Sequence, residues 1–337
     1  VKKLLAIISI FAIILWSGYR FWYMLAMRAA GDVGDPGIIV EIPKGSSTRE
    51  IADILEEKDV IRSSFAFTRH VLGSGDAARL QAGSFVLRPS MNTAEVAEAL
   101  ATGSGQEAPV TIPEGFTVSD IDLLLAEKGL IQPGELQECA VLCDFSAYAF
   151  LPKVAGLAER GGKVEGYLYP DTYFVAGDLD PEAFIERLLS TFEERIIKNL
   201  SKELAASTRS LHEIVTMGSL IEEETRTNTE RAVVSGILWK RFDEGMGLGV
   251  DATVRYILQK PTAALTTADL NTDSAYNLRK YRGLPPGPIA NAGIGSIKAA
   301  LQPQESPYWY YLHGKDGMIR YAVTNEEHNL NKAKYLK

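Results

Sequence analysis

One pattern, met three times between residues 38 and 125, limits the folds open to this 337-residue chain. A short apolar run leads into a proline-containing turn, a polar cap and an amphipathic stretch of three helical turns or fewer. The first copy is 38–45 with Ser47-Thr48 and Ile51, Ala52, Ile54 and Leu55. The second is 83–89 with Asn92-Thr93 and Val96, Ala97 and Leu100; the third is 110–115 with Thr117-Val118 and Ile121, Leu124 and Leu125. Each reads as strand, turn, N-cap and helix. Units shorter than about 20–30 residues do not bury an apolar face alone, so neighbours must pair. Copies one and two therefore predict one small βααβ unit near 38–104, and the third opens a larger domain.

Beyond the repeats, apolar periodicity predicts helices over 118–128, 133–143 and 181–199, then an antiparallel pair over 211–225 and 229–245. A rigid, turn-rich run follows at 283–295, which reads as a wall rather than as a chemical participant. Two strands, 308–312 and 319–323, flank a Gly-Lys-Asp-Gly hairpin turn. The fold class is α+β, not a doubly wound sheet. Residues 31–37 and 102–109 read as linkers.

Residues 4–19 form an apolar run that Arg20 interrupts and 21–27 resume. As a helix, 4–27 would reach about 36 Å, enough for a hydrocarbon core of about 30 Å. Arg20 would snorkel outward among Trp16, Tyr19, Trp22 and Tyr23, an aromatic belt. Lys2 and Lys3 favour a cytoplasmic amino end, so residues 1–30 read as a single-pass anchor with the body outside the cytoplasm. A cleaved signal peptide is the rival reading, but its apolar region would be too long.

A net charge of −8 with no basic stripe excludes nucleic acid as a partner. Cys139 and Cys143, one helical turn apart, read as two small buried side chains rather than a disulfide framework or zinc site. His70, His212, His313 and His328 lack metal-ligand spacing, so no metal or other cofactor is expected.

The chemistry concentrates at 218–225, Gly-Ser-Leu-Ile-Glu-Glu-Glu-Thr. Leu211, Ile214, Val215, Gly218 and Ile221 define one apolar helical stripe, and its next step lands on Glu222. At 3.6 residues per turn the three acids point in different directions, which sends Glu222 inward and Glu223 towards water. A carboxyl among apolar neighbours favours its neutral form, the state a general acid needs. An acidic, solvated helix end is the plain alternative.

Several stretches together resemble the endolytic murein transglycosylase family (YceG-like). They are Glu165-Gly166-Tyr167-Leu168-Tyr169-Pro170-Asp171-Thr172-Tyr173, Ser219-Leu220-Ile221-Glu222-Glu223-Glu224-Thr225, Asp251-Ala252-Thr253-Val254-Arg255-Tyr256, Tyr276-Asn277, 283–289 and Glu327-His328-Asn329. Two departures stand out: Gly249 where the family commonly has Gln, and Ile319-Arg320-Tyr321 where it often has His-x-Phe. The resemblance implies a LysM-like domain at 38–108 and a catalytic domain at 109–337. It implies a lyase of the inner (cytoplasmic) membrane that cuts MurNAc–GlcNAc bonds of nascent peptidoglycan strands, leaving 1,6-anhydro ends, beside glycan polymerases. Glu222 matches the family's catalytic glutamate.

Other residues follow more loosely. Were 165–173 extended, Tyr167, Tyr169, Asp171 and Tyr173 would share a face suited to sugar rings; a strand packing aromatics into the core is the alternative. Glu165 and Glu224 would orient Glu222 or bind sugar hydroxyls. Asp251, Thr253 and Tyr256 would line the cleft, and Asn277 would bind an N-acetyl group or simply hold a turn. His328 reads as structural. Two rival functions stay open: a non-catalytic glycan-binding scaffold of cell-wall synthesis, and a hydrolase pairing Glu222 with a second carboxylate and water.

Overall fold

The three repeats fold as their pattern requires in the computed structural model, which describes residues 2–32, 37–103, 108–153, 161–175, 179–260 and 264–336. The side chains of residues 2–6 and 8, and parts of both expected linkers, lie outside what is described. After α1 (Lys2–Ala26) come β1 (Ile38–Ile42), α2 (Thr48–Glu57), α3 (Ser64–Ser74), β2 (Gly83–Leu87) and α4 (Thr93–Thr102). The third copy is β3 (Ala108–Thr111) and α5 (Val118–Glu127). All three repeat helices start on a capping box, Ser47 with Glu50, Asn92 with Glu95 and Thr117 with Asp120. Each box satisfies two otherwise orphaned N–H groups, and losing such a cap typically costs ~1 kcal/mol.

The chain forms two compact units, one of residues 1–110 with 174–177, the other of 111–173 with 178–337. In the first, β1 and β2 pair antiparallel with Val40 opposite Phe85. This ribbon buries Val40, Ile42, Phe85 and Leu87 in one core with Leu55 of α2, Phe67 of α3 and Leu100 of α4. The chain after α1 is tied to this unit, with Thr93 N–H donating to Met27 O (3.1 Å) and Arg62 Nε to Ala29 O (2.6 Å). Along α1, Ile10, Phe11, Ile13, Ile14, Leu15, Trp16 and Phe21 are exposed. Among the described residues no helix is long and apolar enough to cross a membrane.

Along the chain follow α6 (Glu135–Leu142) and β4 (Thr172–Val175), whose last two residues belong to the first unit; then, in the second unit, α7 (Pro181–Phe192), α8 (Ser201–Ala206), α9 (Leu211–Glu224) and α10 (Asn228–Asp243). It continues through α11 (Asp251–Leu258), α12 (Thr267–Leu270), α13 (Ile294–Leu301), β5 (Tyr310–His313), β6 (Ile319–Ala322) and α14 (Asn325–Tyr335). Every sheet among the described residues has two strands, β1-β2, β3-β4 and β5-β6, so the class is α+β with few strands. The helix expected over 181–199 is α7 continued by a π-helical run, Glu193–Lys198.

α9 is the axis of this unit. All residues from Ile214 to Ile221 are buried, so two turns are covered on every side rather than along one stripe. Gly218 permits the approach of α13: a Cβ there would lie 2.7 Å from the tip of Ile297. Cys139 and Cys143 correct their sequence reading, because they form a disulfide. α6 ends at Leu142 and Cys143 is extended (φ −71°, ψ 155°), which brings the two Cα atoms to 4.9 Å, within disulfide range.

Candidate active site

Glu222 sits in the last turn of α9 with 7 % of its side chain exposed. Its surroundings are not the apolar ones that the stripe predicts. Arg231 Nη2, from the second turn of α10, donates to Oε1 at 2.8 Å, and the Gly293 N–H donates to Oε2 at 3.0 Å. Gly293 is the N-cap of α13, so a helix N-terminus also faces the carboxylate. Glycines make the room: a Cβ at Gly293 would collide with the Glu114 carboxyl, and one at Gly295 would crowd Asn228 and Arg231.

Glu223, the next residue, lines a cleft of ≈ 370 Å³ with Gly115, Asp120, Glu165, Arg255, Tyr256 and Ile289 among others, and Glu222 is not one of its lining residues. Glu223 is exposed, as the helical spacing predicts, and looks onto the cleft. Lost hydration inside these walls, then the charges of Glu222, Glu224 and Asp120, raise its pKa to about 7. Glu165 is 5 % exposed; it accepts from the Val118 N–H at the start of α5 (3.2 Å) and from Tyr256 Oη (3.4 Å). Burial outweighs these bonds and pushes Glu165 up to about 8, so it is a proton-carrying carboxyl at neutral pH. Glu224 is bonded to the half-buried Tyr311 and lies near Asp251, Arg241 and Arg279; burial raises it to about 7.

The structure brings Glu165 and Tyr256 to the cleft, with the Tyr256 ring tilted against Tyr276 at 5.4 Å between centroids. Others it does not bring there. The stretch before β4 is not extended: Gly166 adopts φ +83°, and residues 162–164 form a 3₁₀ turn. The alternating face therefore never forms. Tyr167 is fully buried against Phe150 and Phe192, and its hydroxyl meets His212 Nδ1 at 3.0 Å. Since His212 Nε2 must donate to Pro286 O (2.8 Å), Nδ1 accepts from Tyr167. Tyr173, 4 % exposed, donates to the backbone oxygen of Tyr169, and Tyr169 is 8 % exposed. Asp171 lies at the surface, 3.7 Å from Arg195.

Three more expected contacts are structural. Thr253 is fully buried and donates to Val250 O within its own helix start. Asn277 gives both amide hydrogens to Leu270 O and Thr272 O and accepts from Arg279 N–H, the turn role rather than an N-acetyl contact. Asp251, first residue of α11, is ion-paired with Arg279.

Sequence reasoning missed four participants. Arg231 carried a signal, since an antiparallel α9–α10 pair returns the second turn of α10 to the end of α9. Gly293 acts through a backbone N–H, which leaves no side-chain signature. Asn291, fully buried in the proline-rich wall, staples three segments: its Oδ1 accepts from Leu168 N–H, its Nδ2 donates to Phe116 O, and its own O accepts from Gly115 N–H. That staple fixes the turn bearing Glu114, whose Oε2 lies 3.5 Å from Arg231 Nη2.

Known proteins resemble this chain over most of its length. The YceG-like family matches residues 40–334. The chain is 33 % identical over 309 residues to the endolytic murein transglycosylase of Bacillus subtilis, covering 88 % of this chain and 84 % of that protein. It is 27 % identical over 335 residues to the protein of the same name from Streptococcus pneumoniae, covering 89 % of this chain and 58 % of that one. The crystal structure of a yceG-like protein of Listeria monocytogenes superposes with a TM-score of 0.60 at 32 % identity, covering 88 % of this chain and 99 % of the other.

Proposed function

The chain belongs to the YceG-like family, and on that basis we propose that it is a lyase-type transglycosylase of peptidoglycan with Glu222 as its acid and base. The relatives named endolytic murein transglycosylase support the reaction class and the substrate. One observation supports the residue: a nearly buried carboxylate, oriented by a guanidinium at 2.8 Å and a backbone N–H at 3.0 Å, directly precedes Glu223, which lines the cleft.

Such a site can cut a glycosidic bond with one carboxyl. Protonated Glu222 gives its proton to the bridging oxygen as the C1–O bond breaks. The MurNAc C6 hydroxyl attacks C1 and passes its proton to the Glu222 carboxylate, leaving a 1,6-anhydro end without water. Negative charge develops on Glu222 as it donates, and Arg231 and the Gly293 N–H are already aimed at it. Glu165, neutral and hydrogen-bonded, offers the cleft a donor for sugar hydroxyls, and Tyr256 offers a ring beside it.

No described helix is by itself long and apolar enough to cross a membrane; with the apolar residues that the sequence adds at positions 4–6 and 8, α1 is read as a single-pass anchor that holds both units outside the cytoplasm. Its 25 residues reach about 37 Å as a helix, and Ile10, Phe11, Ile13, Ile14, Leu15, Trp16 and Phe21 are exposed along it. The Cys139–Cys143 disulfide supports an oxidising, extracytoplasmic compartment.

Mass spectrometry of peptidoglycan digested by the full chain tests the chemistry. Glu222→Gln should remove 1,6-anhydro ends by roughly 10²–10⁴-fold while leaving the circular-dichroism spectrum unchanged. Anhydro ends made by the variant at the wild-type rate would end the assignment. Reducing ends in the wild type would instead indicate a hydrolase.

A further inference from the structure

Glu114 belongs to none of the motifs that lead to α9, yet it reaches the same cation. It stands in the turn between β3 and α5, with its carboxyl above the Gly293 Cα and half of its side chain open to solvent. Its Oε2 is 3.5 Å from Arg231 Nη2, the very nitrogen that lies 2.8 Å from Glu222 Oε1. Asn228 Oδ1 holds the other side of the guanidinium at Nη1 (2.9 Å), while Arg231 Nε is buried with no acceptor among the described residues. The guanidinium is thus tethered on one edge and shared between two carboxyls on the other.

An arginine bonded to Glu222 alone would oppose the protonation that an acid requires. We propose that Glu114 is a positioning residue for Glu222, drawing Arg231 to itself when Glu222 takes up its proton and yielding it when Glu222 becomes a carboxylate. One guanidinium is then divided between two carboxyls: the trio gains one negative charge when Glu222 gives its proton to the substrate, and Arg231 moves to meet that charge. This rests on Glu222 being the acid.

The charged and titratable groups around the pair come from each neighbouring element: Arg231 from α10, Glu223 from α9 itself, Asp120 from α5, and Tyr169 from the segment before β4. Partial burial first, then the Glu222 charge, raise Glu114, and Arg231 opposes them. Glu114 and Glu222 thus compete for a single guanidinium nitrogen.

The test is the pH profile of kcat/KM for the full chain on peptidoglycan, comparing wild type, Glu114→Gln and Glu222→Gln. Removing the Glu114 charge should move the alkaline limb down by about one pH unit, so that the loss grows with pH and nears tenfold at about pH 8. An unmoved limb, or a loss equal at all pH values, would overturn the proposal. Full activity in Glu222→Gln would instead remove the acid assignment beneath it. A second readout needs no turnover. Glu114→Gln and Glu222→Gln should be non-additive in thermal stability, because the double variant leaves Arg231 without either carboxylate; additive losses would equally overturn the proposal.

Discussion

Three successive glutamates on α9 meet three unlike environments because each step turns the helix by about 100°. Glu222 meets Arg231 and Gly293, Glu223 the cleft, Glu224 the half-buried Tyr311. Their titration has a consequence for stability, clearest at Glu165. Folded, Glu165 keeps its proton up to about pH 8; an unperturbed glutamate loses it near 4.5. The native state therefore binds the extra proton across that window, and stability falls as pH rises through it. Glu223 and Glu224, both raised to about 7, act with the same sign. Thermal unfolding followed by calorimetry should show the midpoint declining from about pH 5 to about pH 8, with a shallower decline in Glu165→Gln. Parallel curves for the two proteins would contradict this. The inward turn of Glu222 was legible from the stripe, but its partners were not. A backbone N–H and an arginine nine residues on become neighbours only when α10 and α13 pack against α9.

Among the elements, local chemistry was legible wherever the chain writes it locally. Caps at Ser47, Asn92 and Thr117 set the starts of three helices, and the α9–α10 pair and the final hairpin fall within a few residues of their sequence positions. The segment before β4 was misread because alternation of aromatic residues fits a cleft-facing strand and a core equally well. Gly166 decides between them. Its φ of +83° is open to glycine, and a Cβ there would strike Pro288 in the proline-rich wall. Gly166→Ala should cost about 1–3 kcal/mol in chemical denaturation and loosen the wall against Tyr167. A variant as stable as wild type would mean that the wall yields freely. Thr253 and Asn277 teach the same point, since a motif residue can be retained by the fold it staples as readily as by a ligand.

For the whole molecule, the exposed apolar length of α1 is the feature least compatible with water. The full chain should float with lipid vesicles on a density gradient after carbonate washing, and Ile10→Glu with Ile14→Glu should leave it at the bottom. Flotation of that double variant would show that attachment lies elsewhere. The second unit is knitted by bonds between distant parts of the chain. Leu168 to Asn291 spans 123 positions, Glu114 to Arg231 spans 117, and Phe116 to Asn291 spans 175. Loops of this length must close before such contacts stabilise anything, which places them late in folding. A ribosome that has just released α9 has made all three glutamates but neither the amide that holds Glu222 nor the asparagine that seats Glu114. If Glu222 is the acid proposed above, a chain broken off before Gly293 would carry it without its harness, and cutting would wait for a closed protein.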